Sequence, residues 1–141
     1  MNQVSTRYPS LELKDLAEVR RFVEKAATDV GGEEEAVSEL VLAVNEAVCN
    51  IITHGYRNRS GIVTIDVLRD DHDLAIRLRD QAPGFDPTSV PAPDITIPLN
   101  QREYGGMGVH MMRSFTDEMT YRATADGWNE LTLVKHDALR K

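Results

Sequence analysis

The chain has 141 residues and a formal net charge of −7, with 41% apolar and 28% charged residues. This length and balance suit a single globular domain over residues 1–141 with a core of its own. An acidic protein repels a phosphate backbone, which argues against nucleic acid as a direct partner. The apolar runs are short for a bilayer span, the N-terminus lacks a signal-peptide pattern, and the single cysteine cannot form an internal disulfide. We therefore expect a cytoplasmic protein with no membrane partner.

The hydrophobic pattern predicts a strand, two helices and two strands, then a long loop, a helix and two more strands. In chain order these elements are predicted over residues 6–13, 14–30, 33–53, 62–68, 74–80, 106–115, 118–125 and 128–136. Pro9 suits an edge strand, and the Asp126-Gly127 pair predicts a hairpin between the last two strands. This order predicts an α/β two-layer sandwich, with a mixed and mostly antiparallel sheet and the helices on one face.

Two details of the pattern concern apolar side chains outside the main stripes. Leu11 and Leu13 share one face of the first predicted strand. Leu42 and Cys49 lie off the apolar stripe of the second predicted helix. We therefore expect this helix to be covered on more than one side.

Glu46 and Asn50 lie four residues apart on the second predicted helix and are therefore neighbours on its surface. The carboxylate is able to accept a proton, and the amide oxygen suits a hard cation such as Mg²⁺. Taken alone, such a pair more often belongs to a solvated helix face. Its projection away from the stripe of Val37 and Val44 favours that interpretation.

Asp80 ends the second of the two central predicted strands and opens a turn that contains Pro83 and Gly84. A carboxylate in this position is able to accept a hydrogen bond from an exocyclic amine such as that of adenine. A turn-forming aspartate explains the same position equally well.

Three glycines, Gly105, Gly106 and Gly108, stand at the start of the predicted helix over residues 106–115. Glycines there let the backbone approach a ligand closely and leave N–H groups that bind phosphate at the positive end of the helix dipole. The segment is neither a Walker loop nor a dinucleotide fingerprint. A hinge is the alternative, because the proline-rich residues 81–103 before it are typical of a lid or a binding loop.

Taken together and in this order, residues 39–56, 80–87 and 105–108 resemble the N, G1 and G2 boxes of the GHKL ATPase superfamily, which includes gyrase B, Hsp90, histidine kinases and MutL. The short chain, the wording Glu-Ala-Val-x-Asn…His-Gly-Tyr and the Phe-Asp-Pro after G1 are similar to the anti-sigma factor serine/threonine kinases of the RsbW and SpoIIAB type. The resemblance covers nearly the whole chain.

The resemblance implies a Bergerat ATP-binding fold with a lid at residues 85–104, and an ATP-dependent protein serine kinase that is also an anti-sigma factor. It implies that Glu46 is the general base toward a serine of a STAS-domain anti-anti-sigma factor and that Asn50 ligates Mg²⁺. The other ATP contacts that it implies are Asp80 at adenine N6, Gly84 beside the base, Arg102 near the γ-phosphate, Gly105, Gly106, Met107 and Gly108 at the phosphates, and Thr132 near adenine. It also implies a homodimer that binds an RNA polymerase sigma factor, with Arg20 on the contact surface.

Two positions depart from the family pattern. The first glycine of G1 is Ala82 here, and an alanine at a turn that needs positive φ is strained, so we expect a different local path. Tyr104 stands where the family often has a basic residue beside G2. Two other functions therefore stay open: a non-catalytic ATP-binding switch that sequesters a partner, and a kinase that regulates a non-sigma effector.

Overall fold

The structure, a computed structural model, describes residues 2–83 and 112–141. Its two long helices are α1 (Leu16–Asp29) and α2 (Glu34–Asn50), and a short 3₁₀ turn, Leu13–Asp15, precedes α1. Its strands are β1 (Gln3–Leu11), β2 (Gly61–Asp70), β3 (Asp73–Asp80), β4 (Glu118–Ala123) and β5 (Asn129–Lys135). The predicted order of these elements is confirmed, with boundaries that differ by a few residues.

The strands form one five-stranded sheet in the order β1-β2-β3-β5-β4. Every neighbouring pair in this described sheet is antiparallel, so the sheet is more regular than the mixed one we expected. The strand β1 lies at one edge, which confirms the prediction made from Pro9, a residue without the N–H that an inner strand donates.

Only one face of the sheet is apolar, and both helices pack against it. Along β3, Leu74, Ile76 and Leu78 are fully buried, whereas Arg77 and Arg79 point to the opposite face. These buried side chains belong to the same core cluster as those of α1 and α2. The predicted two-layer α/β sandwich with helices on one face is therefore confirmed.

The chain leaves β1 earlier than its sequence pattern predicts. The register with β2 shifts between Tyr8 and Leu11, around the proline, and Leu11 is the last strand residue. Leu11 is buried, but Leu13 lies in the 3₁₀ turn and is 42% exposed. The expectation that both leucines share one face of the strand was therefore wrong.

Most buried side chains of α2 lie along one side of the helix, and Leu42 lies on a side that is open. Its core residues Leu40 and Val48 are fully buried, Cys49 is half-buried and Leu42 is 47% exposed. In a two-layer fold, the sheet and α1 cover one side of the helix and leave the other side open. The expectation that α2 is covered on more than one side was therefore wrong for Leu42.

By length and composition, the segment Glu34–Gly55 would also suffice to cross a membrane, with 22 residues and a mean hydropathy of 1.4. The apolar runs of the sequence did not predict such a segment. Half of its apolar window is buried inside the domain, where it forms the central helix of the core. A core helix meets the same criterion, so this segment is weak support for a membrane span.

The predicted hairpin between the last two strands is confirmed. The strands β4 and β5 pair from Glu118 with Val134 to Ala123 with Asn129. Gly127 in the connecting turn has a φ of 89°, a conformation that glycine adopts without strain. This hairpin register decides which β5 side chains face the helices.

Candidate functional site

The C-terminal end of α2 lies beside the end of β3 and the start of β5, and a cavity opens between them. Asn50 and Asp80, which are far apart in the sequence, both line this cavity. The described residues that line it are Ala47, Asn50, Ile51, Asp80, Met112, Tyr121, Asn129 and Leu131. The fold therefore brings together two of the predicted site residues that the sequence could only place on separate elements.

Asn50 is buried, contrary to the solvated helix face that its position alone favoured. Its side chain is 5% exposed, and within the described part of the chain its Nδ2 atom has no hydrogen-bond partner. A buried polar group left without a partner costs about 1–3 kcal/mol. Such a group in a cavity wall is a candidate contact for a bound ligand.

Glu46 lies one turn before Asn50 on the same side of α2 and is half-buried. No hydrogen bond or ion pair joins its carboxylate to another of the residues described. The solvated-face interpretation therefore fits Glu46 better than it fits Asn50, and Glu46 is available to a molecule that approaches from outside.

The helix α2 continues into one π-helical turn, Ile51–Gly55, directly after Asn50. Such wide turns are rare and occur frequently at functional sites. Gly55 in this turn lies against the loop that follows β3, because a Cβ atom on Gly55 would be 2.8 Å from the Cβ of Ala82. The end of α2 is therefore in direct contact with the loop that Asp80 opens.

Asp80 is buried at the end of β3, with a side chain that neighbours hold in place. It is 6% exposed, and its Oδ1 atom accepts hydrogen bonds from the Ala82 N–H and from Asn129 Nδ2, both at 2.9 Å. Burial raises the pKa of Asp80, and these two hydrogen bonds offset part of the rise. In the residues that the structure describes, no cation pairs with this carboxylate. Asp80 is therefore a strong hydrogen-bond acceptor in an apolar wall.

The alanine that stands at position 82, where the family pattern has glycine, does not strain the backbone, which is consistent with the different local path that we expected. Ala82 is not among the described non-glycine residues with positive φ. Its N–H closes a turn onto Asp80, and its carbonyl accepts a hydrogen bond of 2.7 Å from Asn129 Nδ2. The space for its methyl group comes from Gly55, which has no side chain.

Three residues that build this site were not predicted from the sequence. Asn129 connects Asp80 with Ala82, and Tyr121 donates a hydrogen bond of 2.7 Å to Asn129 Oδ1. Tyr56 donates to the Ile62 carbonyl at 2.6 Å and accepts from the Gln81 N–H at 2.8 Å, which ties the loop after β3 to β2. The hairpin prediction carried a signal for Asn129, because strand alternation from the buried Leu131 places it on the helix side.

The same alternation separates Thr132 from the cavity. Thr132 pairs with Arg77 of β3 and Thr120 of β4, whereas its neighbours Leu131 and Leu133 are buried on the helix side. Its side chain therefore lies on the opposite face of the sheet. The structure does not bring Thr132 together with Asn50 and Asp80, because successive strand residues point to opposite faces.

The remaining predicted contacts lie outside the described residues: Gly84, Arg102, Gly105, Gly106, Met107, Gly108 and the predicted lid over 85–104. Their roles stay predictions. The described end of the predicted helix over 106–115 is helical at residues 112–114, and Met112 at its start is buried in the cavity wall.

The oxygen atoms around the cavity suit a cation that binds together with another ligand. Within residues 2–83 and 112–141, no cluster of three or more His, Cys, Asp or Glu side chains could hold a metal ion. Mg²⁺ often takes only one or two protein oxygens and completes its shell with water and substrate phosphates. The side-chain oxygen of Asn50 fits that role.

Arg20 lies on α1, and its Nη1 donates a hydrogen bond of 2.7 Å to Asn45 Oδ1 on α2. The bond is on the exposed side of the two helices and next in sequence to Glu46. Arg20 therefore helps to fix the position of α1 against the helix that carries Glu46 and Asn50.

Comparison with known proteins identifies the family. Residues 10–135 match the family described as histidine kinase-like ATPase domain. An anti-sigma F factor of Clostridium acetobutylicum is 30% identical over 135 residues, which cover 92% of this chain and 94% of that protein. The serine/threonine-protein kinase BtrW of Bordetella bronchiseptica is 29% identical over 100 residues, 70% of each chain.

A solved structure has the same fold. The crystal structure of the RsbU and RsbW domains of Rv1364c from Mycobacterium tuberculosis matches with a TM-score of 0.64 at 17% identity. The match covers 98% of this chain, which spans 33% of the chain in that structure. The sequence matches and this fold together show that the chain belongs to the histidine kinase-like ATPases of the GHKL superfamily, among the anti-sigma factor serine/threonine kinases of the RsbW and SpoIIAB type.

Proposed function

We propose that this protein is an ATP-dependent protein serine kinase and anti-sigma factor, and that it phosphorylates a serine of a STAS-domain anti-anti-sigma factor in a partner-switching system. One observation carries the proposal: the same cavity is lined by the buried Asp80 carboxylate, which no described cation neutralises, and by Asn50, whose Nδ2 atom has no partner among the described residues. Both groups need a ligand with a hydrogen-bond donor at one end and acceptor oxygens at the other. ATP has both.

In this proposal Asp80 accepts a hydrogen bond from the adenine amino group, and Gly84 leaves room beside the base. The side-chain oxygen of Asn50 holds Mg²⁺, which neutralises part of the phosphate charge when it is bound. The N–H groups of Gly105, Gly106, Met107 and Gly108 contact the phosphates, and Arg102 approaches the γ-phosphate. Main-chain contacts of this kind agree with the net charge of −7.

Glu46 is the proposed general base. It is half-buried, lies one turn from Asn50 and has no partner among the described side chains. The serine oxygen attacks the γ-phosphorus while Glu46 accepts the hydroxyl proton, and the bond to the β,γ-bridging oxygen breaks to release ADP. Positioning and electrostatic stabilisation supply most of the catalysis in phosphoryl transfer, so a single carboxylate suffices as the base.

The proposed partners are a STAS-domain protein, an RNA polymerase sigma factor and a second copy of this chain, in the cytoplasm. Arg20 is placed for a contact with the sigma factor, since it lies on the exposed side of α1 beside α2. A protein that binds this face also lies close to Glu46. Substrate access and sigma-factor binding would then share one side of the domain.

The test is serine phosphorylation of a cognate STAS protein with Mg-ATP. Glu46→Gln keeps the shape of the side chain but removes the base, so we expect phosphate transfer to slow by about 100-fold or more. ATP affinity, measured by calorimetry, should change little. Glu34→Gln is the matched control, because this exposed glutamate starts the same helix away from the cavity.

Phosphate transfer at the normal rate by Glu46→Gln would show that Glu46 is not the base. ATP binding by the wild-type protein with no transfer to any STAS partner would instead favour the non-catalytic switch. Absence of ATP binding would remove the whole proposal.

A further inference from the structure

We infer that Tyr121 and Asn129 are positioning residues that fix the Asp80 carboxylate for the base of the nucleotide, and that they thereby set the preference for adenine over guanine. This inference rests on the proposed function, because it assigns Asp80 to the base. It concerns two side chains that the sequence did not single out. Their hydrogen bonds define one orientation of the carboxylate.

Every hydrogen-bonding group of the Asn129 amide is used. Its Nδ2 donates to Asp80 Oδ1 at 2.9 Å and to the Ala82 carbonyl at 2.7 Å, and its Oδ1 accepts from the Tyr121 hydroxyl at 2.7 Å. A flipped amide would place its oxygen against two other acceptors and its nitrogen against the hydroxyl that now donates. The two acceptors, Asp80 Oδ1 and the Ala82 carbonyl, therefore select the amide orientation, and the Tyr121 hydroxyl supports it by donating to Asn129 Oδ1.

The two described hydrogen bonds of the Asp80 carboxylate both end on Oδ1. Oδ2 receives none from the described residues, and Asp80 lines the cavity. A carboxylate that is held by one oxygen presents its other oxygen in a fixed direction. Oδ2 is therefore the atom that meets the ligand.

The direction and the charge of Oδ2 both bear on base selectivity. Adenine presents an amino donor at the position where guanine presents a carbonyl oxygen. An ionised acceptor attracts the first group and repels the second. The hydrogen bond from Asn129 opposes the effect of burial on the Asp80 pKa and so helps to keep the carboxylate ionised.

The experiment measures Mg-ATP and Mg-GTP affinity by calorimetry for the wild-type protein, Tyr121→Phe and Asn129→Leu. Tyr121→Phe removes only the hydroxyl group, and we expect the preference for ATP over GTP to fall by about tenfold. Asn129→Leu removes the amide and should reduce it further. Thr120→Val is the control, because it removes a hydroxyl from the adjacent β4 residue on the other face of the sheet.

A pH series separates positioning from a general loss of packing. Without Asn129 the Asp80 pKa rises further, since a hydrogen bond that lowers it is lost. The loss of ATP binding on acidification should therefore begin at a higher pH in Asn129→Leu than in the wild-type protein, while Thr120→Val follows the wild type. Thermal unfolding of each variant identifies any that fails to fold. If Asn129→Leu does not fold, Tyr121→Phe still tests the inference, because it retains the aromatic ring and its packing.

Wild-type selectivity and an unchanged pH profile in a folded Tyr121→Phe or Asn129→Leu protein would overturn the inference and leave the ATP site intact. If the wild-type protein binds neither nucleotide, the proposed function fails first, and the inference fails with it.

Discussion

Asp80 and Glu130 expose similar fractions of their surface and lie at neighbouring positions of the sheet, but their hydrogen-bond partners differ in charge. In the β3–β5 register, Arg79 is opposite Glu130 and Asp80 is opposite Asn129. One residue step along the strands changes the face, so Glu130 lies on the outer face and Asp80 faces the helices. Glu130 is 8% exposed and Asp80 is 6% exposed. The solvent-exposed fraction of each residue therefore does not distinguish them.

Their partners do distinguish them. Glu130 pairs with the Nε atoms of Arg79 at 2.9 Å and Arg122 at 3.3 Å, whereas the described donors to Asp80 are neutral N–H groups. Burial tends to raise the pKa of Glu130, but hydrogen bonds from Arg122 and Arg79 outweigh it and lower this pKa. The pKa of Asp80 is raised by burial. A buried carboxylate with two arginines serves the fold, and one with amide partners stays available to a ligand.

The largest expected effect separates these two roles directly. Asp80→Asn keeps the shape of the side chain but removes the charge, so we expect ATP affinity to fall by about 100-fold. Glu130→Gln should leave ATP affinity within about twofold of the wild type and lower the free energy of unfolding by about 1 kcal/mol. Calorimetry and urea denaturation measure the two quantities. A similar loss of ATP affinity in both variants would break the comparison.

A second test concerns the packing that supports the inner face. Gly55→Ala places a methyl group 2.8 Å from the Cβ of Ala82, and we expect it to lower the free energy of unfolding by about 1–3 kcal/mol. Adding Ala82→Gly removes the opposing methyl group and should restore part of that loss. A double-mutant cycle in urea measures the coupling between the two positions. If their effects are simply additive, the contact between α2 and the loop after β3 does not hold Asp80 in place.

The helical and strand periodicity of the apolar residues predicted most of the fold. The order of strands and helices followed from spacing alone, and the edge position of β1 followed from Pro9. The burial of Asn50 did not, because the spacing of one helix does not show what approaches its far side. The exposure of Leu13 depends on a shift of register near Pro9, which a pattern of alternation does not reveal.

The sequence predicted the site residues that belong to a recognised motif. It did not predict those whose role depends on a contact in the folded structure. Asp80 and Asn50 belong to recognised boxes, and the cavity brings them together. Asn129 belongs to no box, and its role depends on a strand pairing between residues that are far apart in the sequence. The sequence also does not show that Gly55 leaves room for the methyl group of Ala82.

The smallest expected effect concerns paired carboxylates that are exposed instead of buried. His136 contacts Asp73 at 3.0 Å and Glu118 at 3.2 Å. The hydrogen bond with Asp73 raises the pKa of His136 above its ordinary value of 6.5 and lowers the pKa of Asp73 below its ordinary value of 3.8. The stabilisation from His136 is therefore complete below pH 6.5 and is lost as the pH rises through the raised pKa. That from Asp73 is present above pH 3.8 and is lost as the pH falls through the lowered pKa.

We expect the melting temperature of the wild-type protein to fall slightly more between pH 6 and pH 9 than that of His136→Gln, measured without nucleotide. Asp73→Asn should reduce the same difference, because it removes the acceptor that raises the His136 pKa. Once His136 is neutral, no ion pair among the described residues remains for Asp73 or Glu118, as none exists there for Asp80, but water reaches them and the cost is small. If the melting temperature of the wild-type protein instead falls by much more than that of His136→Gln, the lack of a cationic partner, and not burial, determines how much a carboxylate destabilises the fold. The cost of the Asp80 carboxylate would then follow from its lack of a cationic partner, and it would no longer indicate a ligand site.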